Sequence, residues 1–120
     1  MSKRPILVVE DEFIIAELIK ESLSNAGYNA CVHASTLAEA LDAANDLDLL
    51  GALLDINLQG ELVFPVAEAL QSRKIPFAFS SGLGDTKKAP EQFSGATLLM
   101  KPWNDGALEA LASDVFGPPG

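Results

Sequence analysis

Basic charge is scarce in this chain of 120 residues: 8 Lys and Arg stand against 17 Asp and Glu, a formal net charge of -9. A nucleic-acid binder needs a basic face to displace counterions from phosphates, and an anionic membrane surface draws in basic segments, so neither partner is expected. Cysteine is rarer still. Cys31 stands alone, which excludes an internal disulfide and suits a reducing cytoplasm; the residue itself is expected in inert core. Long hydrophobic runs are missing too, since crossing a bilayer takes about 20 apolar residues in sequence. The opening Met1-Ser2-Lys3-Arg4-Pro5 leads into only Ile6-Leu7-Val8-Val9 before Glu10, too few apolar residues for a secretory leader. With no repeat and no internal linker, one domain is expected over 1–120, its core at about 5–116, with Gly117-Pro118-Pro119-Gly120 as a tail that stops a helix.

What the chain does hold is apolar content, 48%, enough to bury a core. Ile6-Leu7-Val8-Val9 reads as a strand buried on both faces. Asp11 to Ala26 carries apolar residues near the helical period, and Gly27 offers a left-handed stop. Ala30 to His33 reads as a second strand. Thr36-Leu37-Ala38-Glu39 is a capping-box pattern opening a helix that ends near Asn45. Leu50 to Leu54, Pro76 to Ser80 and Thr97 to Met100 read as the third, fourth and fifth strands. Leu62 to Arg73 reads as a helix that tolerates Pro65 in its first turn, and Ala107 to Phe116 as a closing helix. A helix is also expected between Asp85 and Gly95, where Pro90 and Gly95 make it poor. Strands alternating with helices predict an α/β fold, a parallel sheet with helices on both faces, doubly wound.

In such sheets the site lies beyond the carboxyl ends of the strands. The polar residues expected there are Glu10 and Asp11, Asp55, Ser80 and Ser81, and Lys101. Asp55 stands out because it closes the buried run Leu49-Leu50-Gly51-Ala52-Leu53-Leu54, where an unpaired carboxylate is costly. Carboxylates crowded to about 5 Å repel by roughly 3 kcal/mol per pair at an effective dielectric near 20. Protonation or a divalent cation relieves that, and oxygen-only ligands suit Mg²⁺. Lys101 adds a point charge and Ser81 a donor for phosphate, a set able to move a phosphoryl group onto an aspartate. Ordinary readings stand beside these. Glu10 and Asp11 also favour a helix N-terminus, and Ser80 competes with Ser81 for the hydroxyl role. His33 reads as a strand-end surface residue rather than a phosphate carrier. Trp103 serves either packing or a partner contact.

Glu10-Asp11 after the first strand, Asp55 in Leu53-Leu54-Asp55-Ile56-Asn57-Leu58, Ser81-Gly82 after Phe77-Ala78-Phe79, and Lys101-Pro102-Trp103 follow one another at specific spacings. In these the chain resembles a response-regulator receiver domain from Pro5 to Phe116. The resemblance implies a flavodoxin-like, five-stranded parallel sheet in the order 2-1-3-4-5. It implies that Asp55 accepts a phosphoryl group from a sensor histidine kinase or a histidine phosphotransfer protein, with Mg²⁺ as cofactor and Ca²⁺ or Mn²⁺ as substitutes in vitro. Asp11 and Asp55 would bind the metal directly with the Asn57 carbonyl, and Glu10 through water. Ser81 would hydrogen-bond a phosphoryl oxygen and Lys101 would pair with the phosphate, its bond to Pro102 usually being cis in the family.

The family further implies a cytoplasmic switch and not an enzyme, limited to Mg-assisted self-phosphorylation and self-dephosphorylation. It also implies an unnamed downstream protein partner, and pairing of two copies through the face of the fourth helix, fifth strand and fifth helix. Two features depart from the common pattern. Leu98 stands where most receivers carry an aromatic residue, so phosphorylation is expected to act by ordering residues 82–95. Phe79-Ser80-Ser81-Gly82-Leu83-Gly84 is closer to a variant subgroup, often of stand-alone receivers, with the motif Phe-Ala-Thr-Gly. In the family the residues two after the acceptor and two after the hydroxyl flank the path of the attacking water; here these are Asn57 and Leu83, and an apolar Leu83 predicts slow loss of phosphate. Two other classes remain as alternatives. A small Mg-dependent aspartyl-phosphate phosphohydrolase would need a second aspartate where Asn57 stands, and an interaction module that no longer uses phosphorylation would not need the full acceptor set.

Overall fold

A computed structural model of the chain describes residues 4–81, 91–93, 95–101 and 103–119, with backbone alone at Ala30, Cys31, Glu91 and Asp105. The elements run β1 (Pro5–Val9), α1 (Phe13–Asn25), β2 (Asn29–Ala34), α2 (Leu37–Asp46), β3 (Gly51–Asp55), β4 (Asn57–Leu58), β5 (Glu61–Leu62), α3 (Phe64–Ser72), β6 (Phe77–Ser81), β7 (Leu98–Met100) and α4 (Asp105–Phe116), with a single 3-10 turn at Glu91–Phe93. Five strands form one sheet in the order β2-β1-β3-β6-β7, and every pairing in it is parallel.

The sheet carries a core on each face. On one, Ile6, Val8, Leu53 and Ala78 pack with Ile19 and Leu23 of α1 and Leu108, Leu111 and Phe116 of α4. On the other, Leu7, Val9, Leu54 and Phe79 pack with Ala40 and Ala44 of α2 and Val66, Ala67 and Leu70 of α3. Consecutive strand residues alternate between these cores, which is why the β1 and β3 runs read as continuously apolar. Gly51 lets α4 close on the sheet: a Cβ there would meet the Phe116 ring at 2.2 Å. Trp103 packs, half-buried, against the α1/α4 core.

Several expectations are corrected. The order expected as 2-1-3-4-5 reads 2-1-3-6-7, because an unexpected antiparallel hairpin of β4 and β5 intervenes in the chain; the strands expected as fourth and fifth are β6 and β7 and hold those places in the sheet. The expected helix from Leu62 begins instead at Phe64, with Leu62 in β5. The reason is local. Gln59 and Gly60 both adopt positive φ, 52° and 92°, the combination of a tight two-residue hairpin turn, and the Gly60 amide donates to Asn57 Oδ1 at 2.7 Å. Helix α1 is shorter than Asp11 to Ala26 but ends as expected, with Gly27 at φ 96°. In the capping box, the Glu39 amide donates to Thr36 Oγ1 at 3.2 Å, while the Glu39 carboxylate accepts from the Ser35 amide and hydroxyl, each at 3.0 Å. Helix α4 starts two residues early because Asn104 caps it, its Oδ1 accepting from the Ala107 amide at 2.8 Å. Of the helix expected from Asp85 to Gly95, the described residues are Glu91–Phe93, which form a 3-10 turn, and Gly95. Gly82, Leu83, Gly84, Pro90 and Pro102 lie outside them, and with them the expectations about the water path, the Lys101-Pro102 bond and the ordering of this segment. Among the described residues no helix is long and apolar enough to cross a membrane.

Candidate functional site

Parallel pairing brings the strand ends together. Val9 is in register with Leu54, and Asp55 with Ser80, so the residues that follow β1 and close β3 and β6 share one edge. Glu10 and Asp55 are buried, at 0% and 5% exposed. With half-buried Asp11 they each present a carboxylate oxygen within 4.8 Å of the others. Lys101, just beyond β7, reaches across: its Nζ lies 3.1 Å from Glu10 Oε2 and 3.2 Å from Asp55 Oδ2. The crowding expected from the sequence is therefore relieved by a third route, an ammonium bridging two carboxylates, besides protonation or a cation. Glu10 pairs with Lys101 directly, a contact the sequence did not suggest.

Backbone groups fix both acids. Glu10 Oε1 accepts from the Glu12 amide at 3.2 Å, and Asp55 Oδ1 from the Asn57 amide at 3.3 Å. The Glu10 main chain is tied to β2, its amide donating to Ala34 O and its carbonyl accepting from His33 Nε2 at 2.8 Å. His33 thus braces the site from behind, a role the sequence did not suggest. Burial first, then the charge of Asp55, pushes the Glu10 carboxyl up to about 7. Burial also raises Asp55 above the usual carboxylate range, against the pull of Lys101. For Lys101 burial works downward, but the Glu10 hydrogen bond and the Asp55 charge outweigh it and hold the ammonium above its ordinary value.

A cavity of about 390 Å³ opens above the acids, lined by Asp11, Glu12, Asp55, Asn57, Gln59, Gly60 and Lys101. The β4–β5 hairpin supplies one wall and explains how Asn57 comes to stand beside Asp55. Ser81 closes β6 fully buried, its carbonyl accepting from the Lys101 amide at 2.8 Å; it is not among the described residues lining the cavity. The three carboxylates form an oxygen-only donor set that fits a hard divalent cation. An acceptor carboxylate, a lysine in contact with it, and an adjoining cavity are the parts that phosphoryl transfer to an aspartate requires.

No protein-family model matches the chain. It is 33% identical over 109 residues to the uncharacterized transcriptional regulatory protein YrkP of Bacillus subtilis (strain 168), covering 88% of this chain and 46% of that protein, so it spans about half of that relative's length. The solution structure of SdrG from Sphingomonas melonis Fr1 is similar at 37% identity, covering 94% of this chain and 98% of that one, with a TM-score of 0.80. The response regulator REC domain of Erythrobacter litoralis PhyR shares the fold at a TM-score of 0.82 and 20% identity, over 95% of this chain and 90% of that one. With a near full-length likeness at this identity and the strand-end acids and lysine in place, the chain belongs to the response-regulator receiver domains.

Proposed function

We propose that this receiver is a phosphoryl-accepting switch of a two-component relay, with Asp55 as acceptor. The observation that carries the reading is the Lys101 contact to a buried Asp55 at the mouth of a cavity whose walls hold Asp11 and Asn57. Asp55 Oδ attacks the phosphorus of a phosphohistidine on a sensor kinase or a histidine phosphotransfer protein. An O–P bond forms, the N–P bond breaks, and its electron pair stays on the imidazole nitrogen, which takes up a proton. Asp11 and Asp55, with the Asn57 carbonyl and with Glu10 behind them, would hold Mg²⁺, which supplies charge neutralisation for the incoming phosphoryl oxygens. Lys101 is already at the acceptor and pairs with the phosphoryl group once it arrives; Ser81 donates to a phosphoryl oxygen. The product is a changed surface for a downstream protein. Phe79-Ser80-Ser81-Gly82 supports a place in the Phe-Ala-Thr-Gly subgroup.

Phosphoramidate tests this directly, because it presents the same N–P bond without a kinase. With Mg²⁺, wild type is expected to gain one phosphoryl group and Asp55→Asn none. Steady release of phosphate from an added phosphoester would instead support the phosphohydrolase, and an unmodified wild type would support an interaction module.

A further inference from the structure

Among the described residues, Ser80 Oγ is the buried side-chain oxygen that has no hydrogen-bond partner. Ser80 is 1% exposed, and an unsatisfied buried hydroxyl is destabilising. Its position is specific. Strand β6 lies between β3 and β7, and Ser80 is in register with Asp55 on one side and Leu99 on the other. Register partners in a parallel ladder share a face. Leu53, Ala78 and Leu99 all line the α1/α4 core, and Asp55, Ser80 and Lys101 each follow two residues later, so alternation returns them to that side. To reach Asp55 and Glu10, Lys101 must therefore pass over the end of β6, above Ser80. An ammonium has three donors. Glu10 Oε2 and Asp55 Oδ2 accept from Nζ, and among the described residues the third donor has no acceptor. A donor with no acceptor among the described residues and a buried hydroxyl oxygen without a partner are thus placed over the same strand end.

We propose that Ser80 is a positioning residue for Lys101: its hydroxyl oxygen accepts from the ammonium when Asp55 gives up its share of the lysine on becoming esterified, and so keeps Lys101 over β6 beside the phosphoryl group. This rests on the receiver function proposed above. It explains why a hydroxyl is kept where it is unsatisfied in the resting protein: its partner arrives in the modified one. The hydroxyl that Ser81 offers to a phosphoryl oxygen is a separate contribution from the neighbouring residue.

The test is a time course of Asp55 phosphorylation by acetyl phosphate with Mg²⁺, read by intact mass, on wild type, Ser80→Ala and Ser80→Thr, with the Tm of each. Ser80→Ala is expected to be phosphorylated about three- to tenfold more slowly, the rate equivalent of one hydrogen bond, while its Tm is equal to or above that of wild type. Ser80→Thr, which keeps the hydroxyl, is expected to recover to within about twofold of wild type. If wild type gains phosphoryl and Ser80→Ala keeps pace with it, the role of Ser80 falls and the receiver reading stands. If the alanine variant is slow only because its Tm has dropped, and threonine restores neither, Ser80 is structural and the proposal is overturned. If wild type itself takes up nothing, the receiver reading fails and Ser80 has no role in it.

Discussion

Replacing Asp55 by Asn is expected to abolish phosphorylation and, at the same time, to stabilise the fold. Asp55 Oδ2 lies 3.2 Å from Lys101 Nζ, an attraction of about 5 kcal/mol at an effective dielectric of 20. Its oxygens lie within 4.8 Å of Glu10, a repulsion of about 3 kcal/mol at pH 8, where Glu10 is ionised. The remaining attraction of about 2 kcal/mol is opposed by a desolvation cost of several kcal/mol for a buried carboxylate. Burial is the largest influence on Asp55 and raises its carboxyl, so the ionised form is net unfavourable in the folded state. An Asn of the same shape keeps an oxygen for Lys101 or the Asn57 amide and carries no charge. Asp55→Asn should therefore gain about 1–2 kcal/mol, or roughly 3–10 °C in Tm. Urea titration and thermal melts at pH 8 without divalent cation read this out. A variant less stable than wild type by more than about 1 kcal/mol would show that the Lys101 pair outweighs burial, and would refute the reasoning.

Asp11→Ala is expected to weaken Mg²⁺ binding by an order of magnitude or more with the fold retained, read by the fluorescence of Trp103, which packs on the α1/α4 core two residues past Lys101; unchanged affinity would remove Asp11 from the site. Gly51→Ala should destabilise by about 1–3 kcal/mol, because the new methyl group meets the rigid Phe116 ring; a urea midpoint equal to wild type would show that α4 moves aside freely. Burial raises the Tyr28 hydroxyl, which donates to the Gly117 carbonyl. A raised folded value means its contribution is complete below the unfolded pKa of 10.0 and is lost as pH rises through the folded value. Tyr28→Phe should accordingly flatten the loss of stability above about pH 10, and melts carried from neutral pH to beyond that limit check it.

The strands and most helices were legible because their signals are local and strong. Ile6 to Val9 and Leu50 to Leu54 are runs that suit a sheet covered on both faces, and Gly27 takes the left-handed conformation its place in the sequence suggested. The acid cluster was legible for the same reason: a carboxylate ending an apolar run has little other reason to be there. The β4–β5 hairpin was not. Each of its strands has two residues, too short for any periodicity, and Gln59 is not a residue that advertises positive φ. Its absence from the expected elements led to the early start given to α3. Lys101 as a resident bridge, rather than a reserve for phosphate, depends on two carboxylates from strands 45 residues apart in sequence being in reach of one side chain, and no local pattern encodes that. The His33 brace on the Glu10 carbonyl is likewise a product of β1–β2 pairing. The choice between Ser80 and Ser81 turns on strand register, which the residue types alone leave open.

Asp55 is the proposed acceptor on which the switch depends. Wild type and Asp55→Asn, each held with acetyl phosphate and Mg²⁺ and compared by intact mass with peptide mapping, test it most directly. One added phosphoryl group is expected in wild type, on the peptide carrying Asp55 and absent when Mg²⁺ is chelated beforehand, and none in the variant. A phosphoryl group on another residue, equal labelling of the variant, or an unlabelled wild type would contradict it.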